Sequence, residues 1–262
     1  MTQNRIWFKN NPWPEGHAIK EVKLYGVLKS DRVLLHLSIK SEDYYAKEGW
    51  EATREREKTY DDALYDKGIE DNWQMMAGWL NYHSCHIQPN EYHLLGDHKI
   101  PFALDTLDSL TIALDNPPPE DKNWGGISFD DLAFHCYVLG HDAVGYHNIS
   151  FSSAKTDMPY HYDIDWTGKV ALAYMGDEEF KYDFKIQLRD VPFVGFDGVR
   201  RNELRYRGKG DSKENYWYDK RQDQSLEERE AELRAWIEAN TTIPPAQLKF
   251  VAEEHSDWLK LI

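Results

Sequence analysis

The sequence predicts a mainly β protein of the α+β class, with antiparallel sheets forming a sandwich or a barrel, one inserted helix and a C-terminal helical hairpin. Short segments of period-two alternation run through residues 21–39 and 106–188, and turn-forming residues separate them. No helices alternate with these strands, which argues against a parallel doubly wound sheet. Each sheet that is apolar on one face must bury that face, so a sandwich or barrel is favoured.

The chain begins with an irregular arm at residues 10–16, rich in Asn, Pro and Gly, followed by a hairpin. Leu24 and Leu28 share one face of the first strand. Leu35, Leu37 and Ile39 share one face of the second. The polar residues 29–32 between them predict a tight turn.

Residues 42–68 form a charged excursion without an apolar face. The next segment, 69–82, is predicted to be a well-buried helix, because Ile69, Trp73, Met76 and Leu80 recur at helical spacing.

The central part of the chain predicts a block of short strands. The predicted strands cover residues 106–115, 127–139, 146–151, 160–166, 170–174 and 180–188. The last has the clearest alternation, with Phe184 and Ile186 against Asp183 and Lys185. Three prolines at residues 117–119 end the first.

The C-terminal segment 223–262 predicts a pair of helices. Ser225 and Glu228 have the spacing of a capping box, which satisfies the orphan amides at a helix start. Pro244-Pro245 predicts the start of a second helix, with Leu248, Val251 and Leu259 in one stripe. We expect this αα-hairpin to pack on a β-rich domain at residues 1–222 as a single compact unit.

Composition and charge limit the classes of function. The chain has 262 residues with 10 Trp, 16 Tyr and 10 Phe, an aromatic content that disordered proteins lack. Its net charge is −15, which disfavours nucleic acid and anionic membranes as partners and favours a basic protein partner.

The N-terminal residues lack the apolar run of a signal peptide, and no apolar run reaches the length of a membrane span. With only two cysteines, Cys85 and Cys136, these features predict a cytoplasmic protein that does not interact with membranes. A Cys85–Cys136 disulfide stays open, and no motif predicts a cofactor.

Two groups of residues are candidate ligands. His83, His86, His93 and His98, with Cys85 and Asp97, suit a transition metal by residue type, but their spacing matches no usual zinc site. Packing histidines are therefore the favoured interpretation.

The second group is His161, Asp163 and Asp165, which alternate with Tyr162, Ile164 and Trp166. On a strand the three polar side chains share the outer face. They suit a metal or a cationic partner, although the polar face of an ordinary amphipathic strand has the same pattern.

A third segment, residues 200–221, interleaves Arg and Lys with Tyr and Trp, as single-stranded nucleic-acid sites do. Acidic residues lie in the same stretch, and a solvated loop or hairpin is the favoured interpretation.

No nucleophile elbow, phosphate loop, dinucleotide fingerprint or His-Glu-x-x-His motif occurs, which argues against an enzyme. The leading hypothesis is a non-catalytic acidic protein that captures a basic protein, as an immunity protein does. A carbohydrate-binding or carbohydrate-active β-protein is the first alternative. A metal-dependent enzyme that uses a His/Asp cluster is the second.

Overall fold

The computed structural model describes residues 4–9, 11, 13, 15–28, 33–44, 84–90, 104, 107–116, 132–176, 178–198, 205–207, 216–218, 224–241, 243–253 and 256–262. These residues form fourteen strands and one α-helix. In chain order they are β1 (Arg5–Phe8), β2 (His17–Leu28), β3 (Val33–Ser41), β4 (His86–Pro89), β5 (Thr111–Leu114), β6 (Phe134–Tyr137), β7 (His141–Ser153), β8 (His161–Ala171), β9 (Tyr182–Pro192), β10 (Gly195–Asp197), β11 (Arg205–Arg207), β12 (Tyr216–Tyr218), α1 (Leu226–Asn240), β13 (Leu248–Ala252) and β14 (Asp257–Leu261).

The prediction of a mainly β fold is confirmed. Strands β2 and β3 are neighbours, as the predicted hairpin requires. The two strands predicted at 160–166 and 170–174 are one continuous strand, β8. The helix predicted at 69–82 and the excursion beyond residue 44 lie outside the described residues.

The chain divides into two compact units. Unit 1 contains Met1–Leu24, Leu37–Leu94 and Asp105–Pro192. Unit 2 contains Tyr25–His36, Leu95–Leu104 and Phe193–Ile262. The boundary predicted after residue 222 lies inside unit 2 and stays a prediction.

Unit 1 is a barrel-like antiparallel sheet of eight strands. The strands follow one another in the order β1-β9-β8-β7-β6-β4-β3-β2, and β1 also pairs with β2. Arg5 therefore lies opposite Gln187 on one side and Ala18 on the other. This closure leaves no open edge in the ring, which removes a route to edge-to-edge aggregation. Strand β5 pairs with β7 outside the ring path.

Side chains fill the interior of the barrel. Ile6, Phe134, Trp166 and Ile186 are all almost completely buried. The ring centroids of Phe134 and Trp166 lie 4.6 Å apart. Eight strands make a barrel just wide enough for side chains to fill, so the outward-facing residues are the ones placed to meet a ligand.

Unit 2 contains a sheet in which β10 runs parallel to the end of β2 and antiparallel to β14. Gly195 has a φ of +130°, and a Cβ there would lie 2.2 Å from the carbonyl oxygen of Leu259, so the close β10–β14 approach requires glycine. Strands β11 and β12 form a separate antiparallel pair within the 200–221 segment.

Helix α1 begins with the predicted capping box. The Ser225 hydroxyl accepts a hydrogen bond from the Glu228 amide, and the Glu228 carboxylate accepts one from the Ser225 amide. Leu233 and Ile237 are its buried residues. Within the described residues, no helix is both long and apolar enough to cross a membrane.

The prediction of a second helix in the C-terminal hairpin is wrong. Pro245–Gln247 form a single 3₁₀ turn, and β13 and β14 follow as an antiparallel pair. The apolar residues of this segment fit a helical stripe and a strand alternation almost equally well. Pairing with β10, some sixty residues earlier in the chain, stabilises the strand form, and no local pattern reveals that partner.

Candidate functional site

The predicted trio His161, Asp163 and Asp165 lies on the outer side of β8, and Tyr162, Ile164 and Trp166 are buried on the other side. Each polar side chain contacts strand β9. His161 Nδ1 lies 2.7 Å from Asp190 Oδ1, and Asp163 accepts a hydrogen bond of 3.0 Å from the Asp190 amide.

Asp165 is held by the same strand. Its carboxylate accepts hydrogen bonds from Arg189 Nη2 at 2.8 Å and Gln187 Nε2 at 3.1 Å. Burial raises the pKa of Asp165, but these hydrogen bonds outweigh it and leave the pKa below its ordinary value. The trio therefore forms a cross-strand network, and its three side chains do not converge on one point.

The histidine cluster is described only in part. His86 lies half-buried on β4 opposite Tyr137, and burial lowers its pKa. His83, His93 and His98 lie outside the described residues. Across the described ranges, no group of three His, Cys, Asp or Glu side chains is placed to hold a metal ion.

The outer face of strands β1, β9, β8 and β7 carries an open groove of about 510 Å³. We call it the Trp7–Tyr146 groove. Its outward-facing lining consists of Trp7, Lys9, Tyr146, Thr167, Lys169, Asp183 and Lys185, above a floor that includes Gly168 and Phe184. All of these residues belong to unit 1.

Strand register places the two aromatic residues on opposite sides of the groove. Trp7 on β1 lies opposite Lys185 on β9, and Lys185 lies opposite Thr167 on β8. Tyr146 is on the next strand, β7. Adjacent strands are about 4.8 Å apart, so the backbones carrying Trp7 and Tyr146 are about 14 Å apart.

A β-bulge sets the position of Tyr146. The β7–β8 register shifts between Gly145 and Asn148, and Tyr146 adopts a φ of +54° there. Its amide donates to the Asp115 carbonyl at 2.9 Å. Bulges redirect side chains, and this one leaves the Tyr146 ring half-buried at the groove edge, against Phe180.

His147 anchors the bulge from the barrel interior. It is completely buried, and its Nδ1 accepts a hydrogen bond of 3.1 Å from the Trp166 indole N–H. Nε2 therefore carries the proton of the neutral ring and lies 3.6 Å from Asp115 Oδ2. Burial lowers the pKa of His147 to about 3 and raises the pKa of Asp115.

Gly168 lies on β8 beneath the groove, on the same inward side of the strand as Trp166 and Val170. A Cβ on Gly168 would lie 2.6 Å from the Phe184 ring and 2.9 Å from the Gly145 carbonyl oxygen. The Phe184 ring therefore packs directly against the backbone of β8. This close packing inside the barrel supports the strands that carry the groove residues.

Lysines dominate the charge of the groove. Lys185 Nζ lies 5.8 Å from the centroid of the Trp7 ring, and Lys169 Nζ lies 5.4 Å from that of Tyr146. Lys9 forms an ion pair of 3.3 Å with Asp183. Each aromatic ring is thus accompanied by an ammonium group.

The amino-acid sequence alone does not reveal this groove. Period-two alternation predicts that Lys185 lies on the polar face of β9, but Trp7 lies on a strand of only four residues, and the position of Tyr146 depends on a bulge. No protein-family model, curated protein or solved structure matches this chain.

Proposed function

We propose that this protein is a non-catalytic carbohydrate-binding protein and that the Trp7–Tyr146 groove is its binding site. The observation that carries the proposal is the pair of partly exposed aromatic rings on one outer face of the barrel. A sugar ring has an apolar C–H face and a polar rim. Aromatic side chains match the first, and Thr167, Lys169 and Lys185 supply hydrogen-bonding groups for the second.

The size and place of the groove support this assignment. Its volume of about 510 Å³ lies within the range of small-molecule sites. The groove is open and crosses four strands, which suits a short oligosaccharide lying along the surface. The interior of the barrel is filled by side chains such as Trp166 and Phe134 and leaves the outer face as the binding surface.

Binding without hydrolysis is favoured by the composition of the groove. Glycoside hydrolysis needs two carboxyl groups, about 5–9.5 Å apart, across the scissile bond. Among the described residues that line the groove, Asp183 is the single carboxylate, and it forms an ion pair with Lys9.

Glycan-array screening followed by calorimetry tests the proposal. Trp7→Ala should weaken binding of the best oligosaccharide at least about tenfold, which corresponds to about 1.4 kcal/mol. Trp258→Ala is the matched control, since Trp258 is also half-buried and lies beneath a lysine, Lys260, at 5.6 Å, but belongs to unit 2. Its affinity should equal that of the wild type.

Thermal unfolding must show that both variants are folded. If no saccharide binds, or if Trp7→Ala binds as tightly as the wild type, the proposal is wrong.

Capture of a basic protein is a second candidate, supported by the net charge of −15. Glu227, Glu228 and Glu238 are exposed on α1 and add to that field. Pull-down from a lysate of the native host at low and moderate salt tests it. A partner retained at low salt and released by charge reversal of Glu227 and Glu238, which leaves the capping box intact, would support it, and retention of no partner at either salt would contradict it.

A further inference from the structure

The Trp7–Tyr146 groove is positively charged, whereas the protein as a whole is negatively charged. The chain carries 46 acidic and 31 basic side chains, whereas Lys9, Lys169 and Lys185 line the groove with Asp183 as the single acid among its described residues. Asp183 forms an ion pair with Lys9. The positive charge of the groove therefore comes from Lys169 and Lys185. The nearest acidic neighbours already have a basic partner: Asp183, opposite Lys169, forms its ion pair with Lys9, and Asp165, which interacts electrostatically with Lys185, forms its ion pair with Arg189.

The two lysines are arranged as a pair. Lys169 lies opposite Asp183, and Lys185 lies opposite Thr167, so the lysines are diagonal neighbours on paired strands. The backbones of diagonal neighbours on paired strands are about 7–8 Å apart. Each also lies near an aromatic ring, Lys169 near Tyr146 and Lys185 near Trp7. The groove therefore contains two pairs, each formed by one aromatic ring and one ammonium group.

We propose that the natural ligand is an acidic oligosaccharide, in which each ammonium group binds one anionic substituent while sugar rings contact Trp7 and Tyr146. The inference rests on the proposed carbohydrate-binding function and adds the charge of the ligand to it. The anionic group is a uronic acid carboxylate or a sulfate ester, since lysine binds both as a point charge and has no planar fork to favour one.

A short acidic sugar fits better than a long polyanion. The field of a protein with net charge −15 repels nucleic acid over distances of about 10 Å and more at low salt. A short ligand lying within the groove is dominated by the two nearby lysines. The groove thus selects a small anion that also offers apolar C–H faces.

Calorimetry with trigalacturonate and its neutral methyl ester separates charge from sugar shape. We expect the wild type to bind the acid at least about tenfold more tightly than the ester, with a preference that shrinks between about 20 and about 300 mM salt. The double variant Lys169→Gln/Lys185→Gln should lose the preference, because its affinity for the acid should fall at least about tenfold further than its affinity for the ester. Lys260→Gln, which removes the lysine near Trp258, should behave as the wild type.

The outcomes distinguish the two proposals. Equal affinity for acid and ester would overturn the charge inference and leave the carbohydrate-binding function standing. Binding of no saccharide at all would overturn both. Preference for a sulfated oligosaccharide over its desulfated form, abolished by the double variant, would support the inference with sulfate as the anion. Tighter binding of a single-stranded oligonucleotide would overturn the saccharide assignment.

Discussion

Replacing His147 with glutamine tests how the interior of the barrel responds to acid. His147 is completely buried beside the rings of Phe134, Trp166 and Phe184. Burial lowers its pKa from 6.5 to about 3. The unfolded chain therefore takes up a proton more readily than the folded chain below about pH 6.5. The stability that depends on neutral His147 is complete above that pH and is lost as the pH falls towards 3.

The magnitude follows from the two pKa values. A shift of one pKa unit changes the free energy of unfolding by about 1.4 kcal/mol. The shift of the His147 pKa from 6.5 to about 3 therefore corresponds to about 5 kcal/mol over the full pH range. At pH 5 the loss is about 2 kcal/mol. Asp115, which faces His147 Nε2, has a raised pKa and acts in the opposite direction. His17, with a pKa lowered to about 4 by burial and Arg5, adds to the acid sensitivity.

The assay is urea unfolding of the wild type and His147→Gln at several pH values between 8 and 5. Glutamine supplies an oxygen for the Trp166 indole N–H and does not titrate. Because His17 and Asp115 are present in both proteins, their contributions cancel to first order in the difference. We expect the wild type to lose about 2 kcal/mol relative to the variant between pH 8 and pH 5. His141→Gln, an exposed histidine on the same strand, controls for the loss of one imidazole.

Parallel stability curves for the wild type and His147→Gln across this pH range would refute the reasoning. Should the variant fail to fold, the ring proton resonances of His147 in the wild type give the same answer. Titration of those resonances above pH 5 would show that the imidazole is not protected.

Two stability predictions concern unit 2. Ser225→Ala removes the hydroxyl that caps α1 and should lower the free energy of unfolding by about 1 kcal/mol, whereas Ser225→Asn should retain most of it. Urea unfolding of the full chain measures both, and equal loss in the two variants would contradict a capping role. Arg229 forms an ion pair of 3.3 Å with the buried Asp257, so Arg229→Ala should cost about 3–5 kcal/mol. The double variant Arg229→Met/Asp257→Leu should recover much of that loss in the same assay, and a double variant as unstable as the single one would contradict the desolvation argument.

The long strands could be predicted because alternation is a local property. Trp166 and Ile164 alternate with Asp165 along β8, and Phe184 and Ile186 alternate with Lys185 along β9. Period-two burial follows directly from strand geometry, so the inward and outward faces of these strands were assigned from sequence without knowing their neighbours.

Closure of the barrel could not be predicted, because it depends on partners that are distant in the chain. Strand β1 is four residues long and pairs with β9, about 180 residues later. The segment 248–262 became strands for a similar reason, since β14 pairs with β10. In both places the local pattern is short or ambiguous, and the hydrogen bonds of a remote strand select the conformation.

The shared outer face of the predicted trio follows from the sequence, whereas its hydrogen-bond partners do not, and ligand binding by the trio stays a prediction. His161, Asp163 and Asp165 do share the outer face of β8, as alternation requires. A second bulge, at Asp190 with a φ of +58°, brings the backbone amide and carboxylate of that residue against Asp163 and His161. The polar groups therefore satisfy one another, and no sequence pattern announces that arrangement.

The bulge at Tyr146 both shapes the groove and contributes to the stability of the barrel. One insertion in the β7 ladder directs Tyr146 outward and His147 inward, and the Asp115 carbonyl holds the Tyr146 amide while the Asp115 carboxylate faces His147. In a regular strand adjacent side chains also point to opposite faces. Without the bulge, however, residues 146 and 147 would both pair with β8, and Tyr146 would not adopt the left-handed conformation that directs its ring to the groove. The unusual backbone and the buried imidazole are thus best understood together, as the means by which a filled barrel presents an aromatic ring on its outer surface.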